Sequence, residues 1–298
     1  MNAVGMNVSD SILLFGLGAQ KAGTTWLQSQ IERHPGTFFA RPKELHYWDA
    51  VRAPFLELYI HRTEARLHLP GPGAGLRARL SHIWNPDARR LREAAARYRS
   101  IYHRQPYDHR PYLDYVGAGR SNVRLVGDIT PSYALLGRET FAEMLDCHPN
   151  VRFVFIMRDP VERLWSGIMQ RYQGALPQAE FERAFREACQ SPLHPDRLRS
   201  DYPRTLTELE AAVPPACIHY CFFETLFDKT NGAAVRQGLA AFVGLPDARL
   251  DADERIHSRA GKAEMSAAAR ELGRKMLHDV YDAIRSRFGA DVPSSWLG

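Results

Sequence analysis

Cysteine is scarce. The 298 residues carry four, Cys147, Cys189, Cys217 and Cys221, and the only close pair is spaced C-x-x-x-C within an apolar run. Scatter of this kind excludes a disulfide framework and a cysteine-rich metal site, and describes buried free thiols. Long apolar runs are lacking too: the stretch 12–17 is too short to span a bilayer or to act as a signal segment, and Met1–Asp10 holds no basic residue. A cytoplasmic protein with no membrane partner is the expectation. Internal repeats, low-complexity tracts and nucleic-acid motifs are missing, and no metal-ligating cluster stands out. With 39 Lys and Arg against 34 Asp and Glu the net charge is +5, which favours an anionic ligand but is small for a nucleic-acid binder. What remains, 45% hydrophobic and 24% charged residues, is the composition of a globular chain with a sizeable core. The length suits one large α/β domain or two small ones, and nothing demands two.

Periodicity supplies the elements. "SILLFGLG" (11–18) is a short apolar run ending in glycine, and "TTWLQSQIERHP" (24–35) reads as a helix stopped by Pro35 and Gly36. "TFFA" (37–40) and "VRLVGD" (123–128) have strand character, with a helix near Glu139–Cys147. "VRFVFIM" (151–157) is a near-continuous apolar run, as expected of a parallel strand covered on both faces. Asp159 then Pro160 start a helix whose Val161, Leu164, Trp165 and Ile168 share one face. "CIHYCFF" (217–223) is another buried strand, followed by a helix near Ala233–Phe242, and the spacing predicts one long C-terminal helix over 266–288. Residues 50–120 read as an insertion rich in Arg, Tyr, His and Pro, with a turn at 69–76 and a helix around Asp87–Tyr102. Strands alternating with helices predict a single three-layer α/β/α domain with a mostly parallel central sheet.

One further absence bears on function. Gly18 to Gly23 has the glycine spacing of a P-loop, G-x-x-x-x-G-K-[ST], yet Thr24 stands where the nucleotide-binding lysine belongs. The lysine is displaced upstream, to Lys21. The turn lies at a strand's carboxyl end, where parallel sheets bind ligands. Its backbone N–H groups, the following helix N-terminus, and the Thr24 and Thr25 hydroxyls suit an anion. Arg158 and Asp159 leave a second strand end on the same side. Ser166 lies eight residues after Arg158, about two helical turns, so a guanidinium and a hydroxyl could bracket one further phosphate.

Four blocks, taken together, resemble the sulfotransferases that use 3′-phosphoadenosine 5′-phosphosulfate (PAPS). They are "QKAGTTWLQSQIERHP" (20–35), "RPKELHYWD" (41–49), "GDITPSY" (127–133) and "RDPVERLWS" (158–166). The second is similar to the K-E-x-x-[FY]-[FW] segment of the bacterial and Golgi-type branch, and the last to the family's R-x-P-x-x-R-x-x-S pattern. The resemblance implies a P-loop-like fold. It places the 5′-phosphosulfate on Lys21, Ala22, Gly23, Thr24 and Thr25 and the 3′-phosphate on Arg158 and Ser166, with Trp26 a candidate beside the adenine but better suited to the core. It implies Glu44 as general base, with His46 a partner or substitute, and Lys21 stabilising the departing adenosine 3′,5′-bisphosphate without a metal. Lys43, placed to orient Glu44 or to touch the sulfuryl group, and His46 are implied beside the acceptor. Asp128, Thr130 and Ser132 follow another strand on the same side and read as acceptor-pocket residues or, equally, as turn or cap residues, while Arg259, Gly261 and Lys262 are implied in a late basic loop. Asp128-Ile129 replaces the acidic-lysine pair of many Golgi-type relatives. The implied partner is a small-molecule acceptor with a hydroxyl or amine. A P-loop small-molecule kinase shares fold and loop, but requires the lysine that position 24 lacks. A non-catalytic nucleotide-binding relative is the third alternative.

Overall fold

The computed structural model describes residues 11–50, 96, 100–102, 108–252 and 264–297. The 69–76 turn, most of the Asp87–Tyr102 helix, and the loop residues Arg259, Gly261 and Lys262 lie outside the described residues.

The chain begins with β1 (Ile12–Gly18), α1 (Thr24–Glu32), β2 (Thr37–Phe39), the short α2 (Tyr47–Ala50), α3 (Arg110–Val116) and β3 (Leu125–Ile129). A 3-10 turn at Pro131–Leu135 leads to α4 (Arg138–Asp146), β4 (Val151–Met157) and α5 (Pro160–Arg171). There follow α6 (Gln178–Gln190), α7 (Pro195–Leu198), α8 (Tyr202–Glu210), β5 (Ile218–Phe222), α9 (Phe223–Leu226), α10 (Gly232–Phe242), α11 (Ala267–Met276) and α12 (His278–Phe288). The five strands form one sheet in the order β2-β3-β1-β4-β5, and every pairing is parallel. This is the α/β architecture that the strand-helix alternation predicts. All seven residues of β1 and all five of β3 are buried, which is why β1 is apolar throughout and β3 is apolar but for Asp128, rather than alternating.

Strand order decides where a ligand can sit. The chain leaves β1 for the sheet edge at β2 and returns through β3 beside β1, whereas β4 and β5 extend the other side. The carboxyl ends of β1, β3 and β4 therefore lie together at a topological switch point, the usual ligand crevice of an open parallel sheet. Register brings Phe15 of β1 beside Asp128 of β3 and Phe153 of β4.

One expectation is corrected at the C-terminus. The helix over 266–288 is two helices, broken at the buried Leu277, whose φ of −115° leaves the helical region. The Met276 carbonyl is taken by Arg197 Nη1 at 3.0 Å, and the Val280 N–H bonds the Leu277 carbonyl at 3.0 Å instead. Tertiary hydrogen bonding thus overrides a continuous helical pattern. After α12, Trp296 is buried against Tyr202, Phe222 and Tyr281, fastening this segment at the end of β5.

Candidate functional site

The loop after β1 is held open by backbone bonds to both neighbouring strands. Ala19 N–H donates to the Ile156 carbonyl at 2.6 Å, and Thr130 N–H to the Gly16 carbonyl at 3.1 Å. Gly18 has φ +123°, and a Cβ there would lie 2.8 Å from the Pro131 carbonyl, so only glycine fits. Gly23, at φ +90°, turns the chain into α1. That helix has no side-chain cap and no acidic residue in its first turn. Its leading N–H groups lack intrahelical acceptors and carry the positive end of the helix dipole. Ala22 and Thr24 are buried, while Lys21 and Thr25 are half-buried at the rim. Trp26 belongs to the core instead: it is 2% exposed, its indole N–H donates to the Asp251 carbonyl at 2.7 Å, and its ring packs on Phe227. Its side chain is committed to packing rather than presented to a ligand.

Arg158, at the end of β4, reaches the same loop. Its Nη1 donates to the Lys21 carbonyl at 3.1 Å, its Nη2 lies 3.6 Å from Glu162 Oε2, and the guanidinium sits over the Phe223 ring. Ser166 is half-buried two turns along α5, whose start is capped by Asp159 accepting the Val161 and Glu162 N–H groups at 3.0 Å each. Arg163, the other arginine of this block, points inward. It is wholly buried, donates to the Asp196 carbonyl at 2.6 Å, and burial pulls its guanidinium down to about 10. It braces α5, whereas Arg158 reaches the loop after β1.

The segment before α2 closes the third side. Lys43 Nζ donates to Thr25 Oγ1 at 2.6 Å and lies 3.6 Å from Glu44 Oε1. Glu44 Oε2 is 3.9 Å from His46 Nε2, and His46 Nδ1 is 2.9 Å from Asp49 Oδ2. Ser132 Oγ donates to the same Asp49 oxygen at 2.5 Å. A continuous polar chain thus runs from the anion loop through Lys43, Glu44 and His46 to Asp49 and Ser132. Lys21, Glu44 and His46 have φ of 72°, 62° and 55°, three of the five described non-glycine residues with positive φ. Such backbone is uncommon outside glycine and concentrates at functional sites. Asp49 is absent from the expected site residues, although an acid three positions after a histidine at a helix start was the available signal.

Asp128 and Thr130 follow the structural of the two expectations, not the acceptor-pocket one. They are 2% and 0% exposed and face inward rather than into the crevice. Asp128 accepts hydrogen bonds from Tyr112 and Tyr133 at 2.8 and 2.7 Å and from Thr130 at 2.7 Å, while burial pushes its carboxyl above the usual range. The Tyr133 hydroxyl in turn accepts the Tyr47 N–H at 3.0 Å. Asp128 therefore anchors the start of α2, and with it His46 and Asp49, while Ser132 alone of the three meets the polar chain. The aromatic residues are largely self-packed: Tyr47 stacks on Tyr112 at 4.2 Å, Trp48 lies 4.6 Å from His109, and Tyr102 is buried.

Comparison with known proteins bears on the family and the fold. A sequence profile described as "Sulfotransferase family" matches residues 14–249. No curated protein sequence matches the chain. The fold is similar to that of a sulfotransferase from Alicyclobacillus acidocaldarius, with TM-score 0.58 and 19% identity over 96% of this chain and 98% of that one. A weaker likeness, TM-score 0.44 at 15% identity over 90% of this chain and 94% of that one, is to the sulfotransferase domain of the Synechococcus PCC 7002 olefin synthase. No helix among the described residues is long and apolar enough to cross a membrane.

Proposed function

The chain belongs to the sulfotransferase family, and from that premise we propose that it moves a sulfuryl group from PAPS to a hydroxyl or amine of a small-molecule acceptor. The observation that carries this reading is the polar chain Thr25–Lys43–Glu44–His46–Asp49, which ties the anion loop to a carboxylate suited to take a proton. A P-loop kinase requires neither that linkage nor a lysine at position 21. The K-E-x-x-Y-W wording of "KELHYW" and the use of Glu44 rather than histidine as base are part of the proposal.

The residues fit an adenosine 3′,5′-bisphosphate framework. The uncapped start of α1, with Lys21, Gly23, Thr24 and Thr25, suits the 5′ end, and Arg158 with Ser166 suits a 3′-phosphate. When bound, the donor supplies a sulfuryl group on a phosphosulfate bridge whose S–O bond breaks in transfer. Lys21 and the first-turn N–H groups offset charge developing on the departing phosphate oxygen, the electrostatic contribution on which such transfers rely. Glu44 takes the acceptor's proton as the acceptor attacks sulfur in line with that bond. With Nδ1–H donated to Asp49, His46 turns its Nε2 toward Glu44 and can receive or share that proton. Lys43 fixes Glu44 against the loop.

Calorimetric titration in metal-free buffer tests the nucleotide half of the reading. Adenosine 3′,5′-bisphosphate should bind at least about tenfold more tightly than adenosine 5′-monophosphate, the value of one charge-assisted phosphate contact. Mg²⁺-dependent ATP binding with no preference for a 3′-phosphate would overturn it.

A further inference from the structure

The segment Asp159–Glu162, D-P-V-E, has the spelling of a capping box, in which the fourth residue's carboxylate turns back to the cap residue's own N–H. In this fold it does not. The Asp159 N–H donates to Glu224 Oε1 at 3.0 Å, from the segment after β5. Glu162 is left to two arginines: its Oε2 lies 3.6 Å from Arg158 Nη2, and its Oε1 pairs with Nη1 of Arg270 on α11. Arg274, one turn further along the same helix, lies 3.9 Å from Asp159 Oδ2. Helix α11 thus lays two arginines against the carboxylates of Asp159 and Glu162, the latter also near Arg158. Neither Glu162 nor Arg270 has a part in the transfer chemistry described above.

A carboxylate beside a phosphate-binding arginine works against the phosphate, both by occupying the guanidinium and by repelling a second anion. We propose that Arg270 is a positioning residue for nucleotide binding: it draws the Glu162 carboxylate off Arg158 and so keeps the 3′-phosphate subsite open. The geometry is unequal in the required sense, since Glu162 is in direct hydrogen-bond contact with Arg270 but stands off from Arg158. The proposal rests on Arg158 being the 3′-phosphate ligand.

The test is the ratio of dissociation constants for adenosine 5′-monophosphate and adenosine 3′,5′-bisphosphate, measured calorimetrically without metal. Arg270, Glu162 and Arg158 side chains are 44%, 30% and 22% exposed, so their polar variants leave the core intact, which thermal midpoints verify. Arg270→Gln should lower the preference for the 3′-phosphate by about fivefold, the upper range for a partly exposed charge pair, with monophosphate affinity unchanged. Arg270→Lys should retain most of the preference. Glu162→Gln should raise it, and Glu162→Gln with Arg270→Gln should match Glu162→Gln alone. Equal loss for both nucleotides in Arg270→Gln, or no rescue by Glu162→Gln, would overturn the proposal. Arg158→Gln separates the two levels: it should abolish the preference, and if it does not, the 3′-phosphate assignment itself fails.

Discussion

Lys21 and Arg158 stand 137 residues apart in the chain and meet through one hydrogen bond, from the Arg158 guanidinium to the Lys21 carbonyl. That contact ties the end of β4 to the loop after β1. The sequence displays Lys21, Glu44, His46 and Arg158 because each stands in a short block whose residue types state their chemistry. Asp49 is less visible: its role depends on α2 folding so that its carboxylate meets His46 Nδ1 and Ser132. Asp128 misleads for the opposite reason. An acid at a strand end looks like a ligand, and only burial against Tyr112 and Tyr133 makes it an anchor. If Asp49 orients His46, Asp49→Asn should lower kcat by about tenfold, less than the roughly 100-fold or more expected for losing a general acid-base group itself, and leave the donor KM unchanged. The pH-rate profile should shift as well. A purely structural role would lower the thermal midpoint and leave that profile in place.

At the scale of elements, the strands were legible where burial on both faces makes them continuously apolar, as in β1 and β4, and the capped start of α5 was legible from Asp159 and Pro160. The helices α6 and α8 were not anticipated, although Phe181, Phe185 and Ala188 recur at helical spacing and are buried. The break at Leu277 has no local signal, because the Arg197 that takes the Met276 carbonyl arrives from α7, far away in the chain. β1 and β3 must approach closely for the site to form. A Cβ on Gly16 would lie 2.7 Å from Ile129 Cγ2, where β3 hands the chain to the turn bearing Ser132. Gly16→Ala should therefore cost about 1–3 kcal/mol in urea unfolding, the usual penalty for overpacking a core. Pairing it with Ile129→Val should recover part of that loss. An unchanged midpoint would show that the strands can separate without penalty.

Across the whole molecule, buried titratable groups link stability to pH. Burial lowers the imidazoles of His148, His194 and His219 below their ordinary value of 6.5. The unfolded chain then binds protons first as pH falls, so the stability these groups contribute is full above 6.5 and is lost on acidification. Burial raises the carboxyls of Asp128, Asp159 and Glu224, which opposes this trend above the ordinary carboxylate range, because there the folded chain retains the protons. His219, stacked 4.9 Å from Phe242 on β5, isolates one contribution. His219→Phe should flatten the fall in thermal midpoint as pH drops below the ordinary imidazole value of about 6.5. A variant as acid-sensitive as the parent would place the linkage elsewhere.

The central claim, that this fold delivers a sulfuryl group to an acceptor deprotonated by Glu44, is tested most directly by mass-resolved transfer from isotope-labelled PAPS. The measurement compares the parent protein with Glu44→Gln across a panel of hydroxyl and amine acceptors. The parent should add labelled sulfate to one acceptor class. Glu44→Gln should lose that transfer by about 100-fold or more, the range for removing a general base, while binding adenosine 3′,5′-bisphosphate as tightly as the parent. Transfer at parental rates by Glu44→Gln would contradict the account.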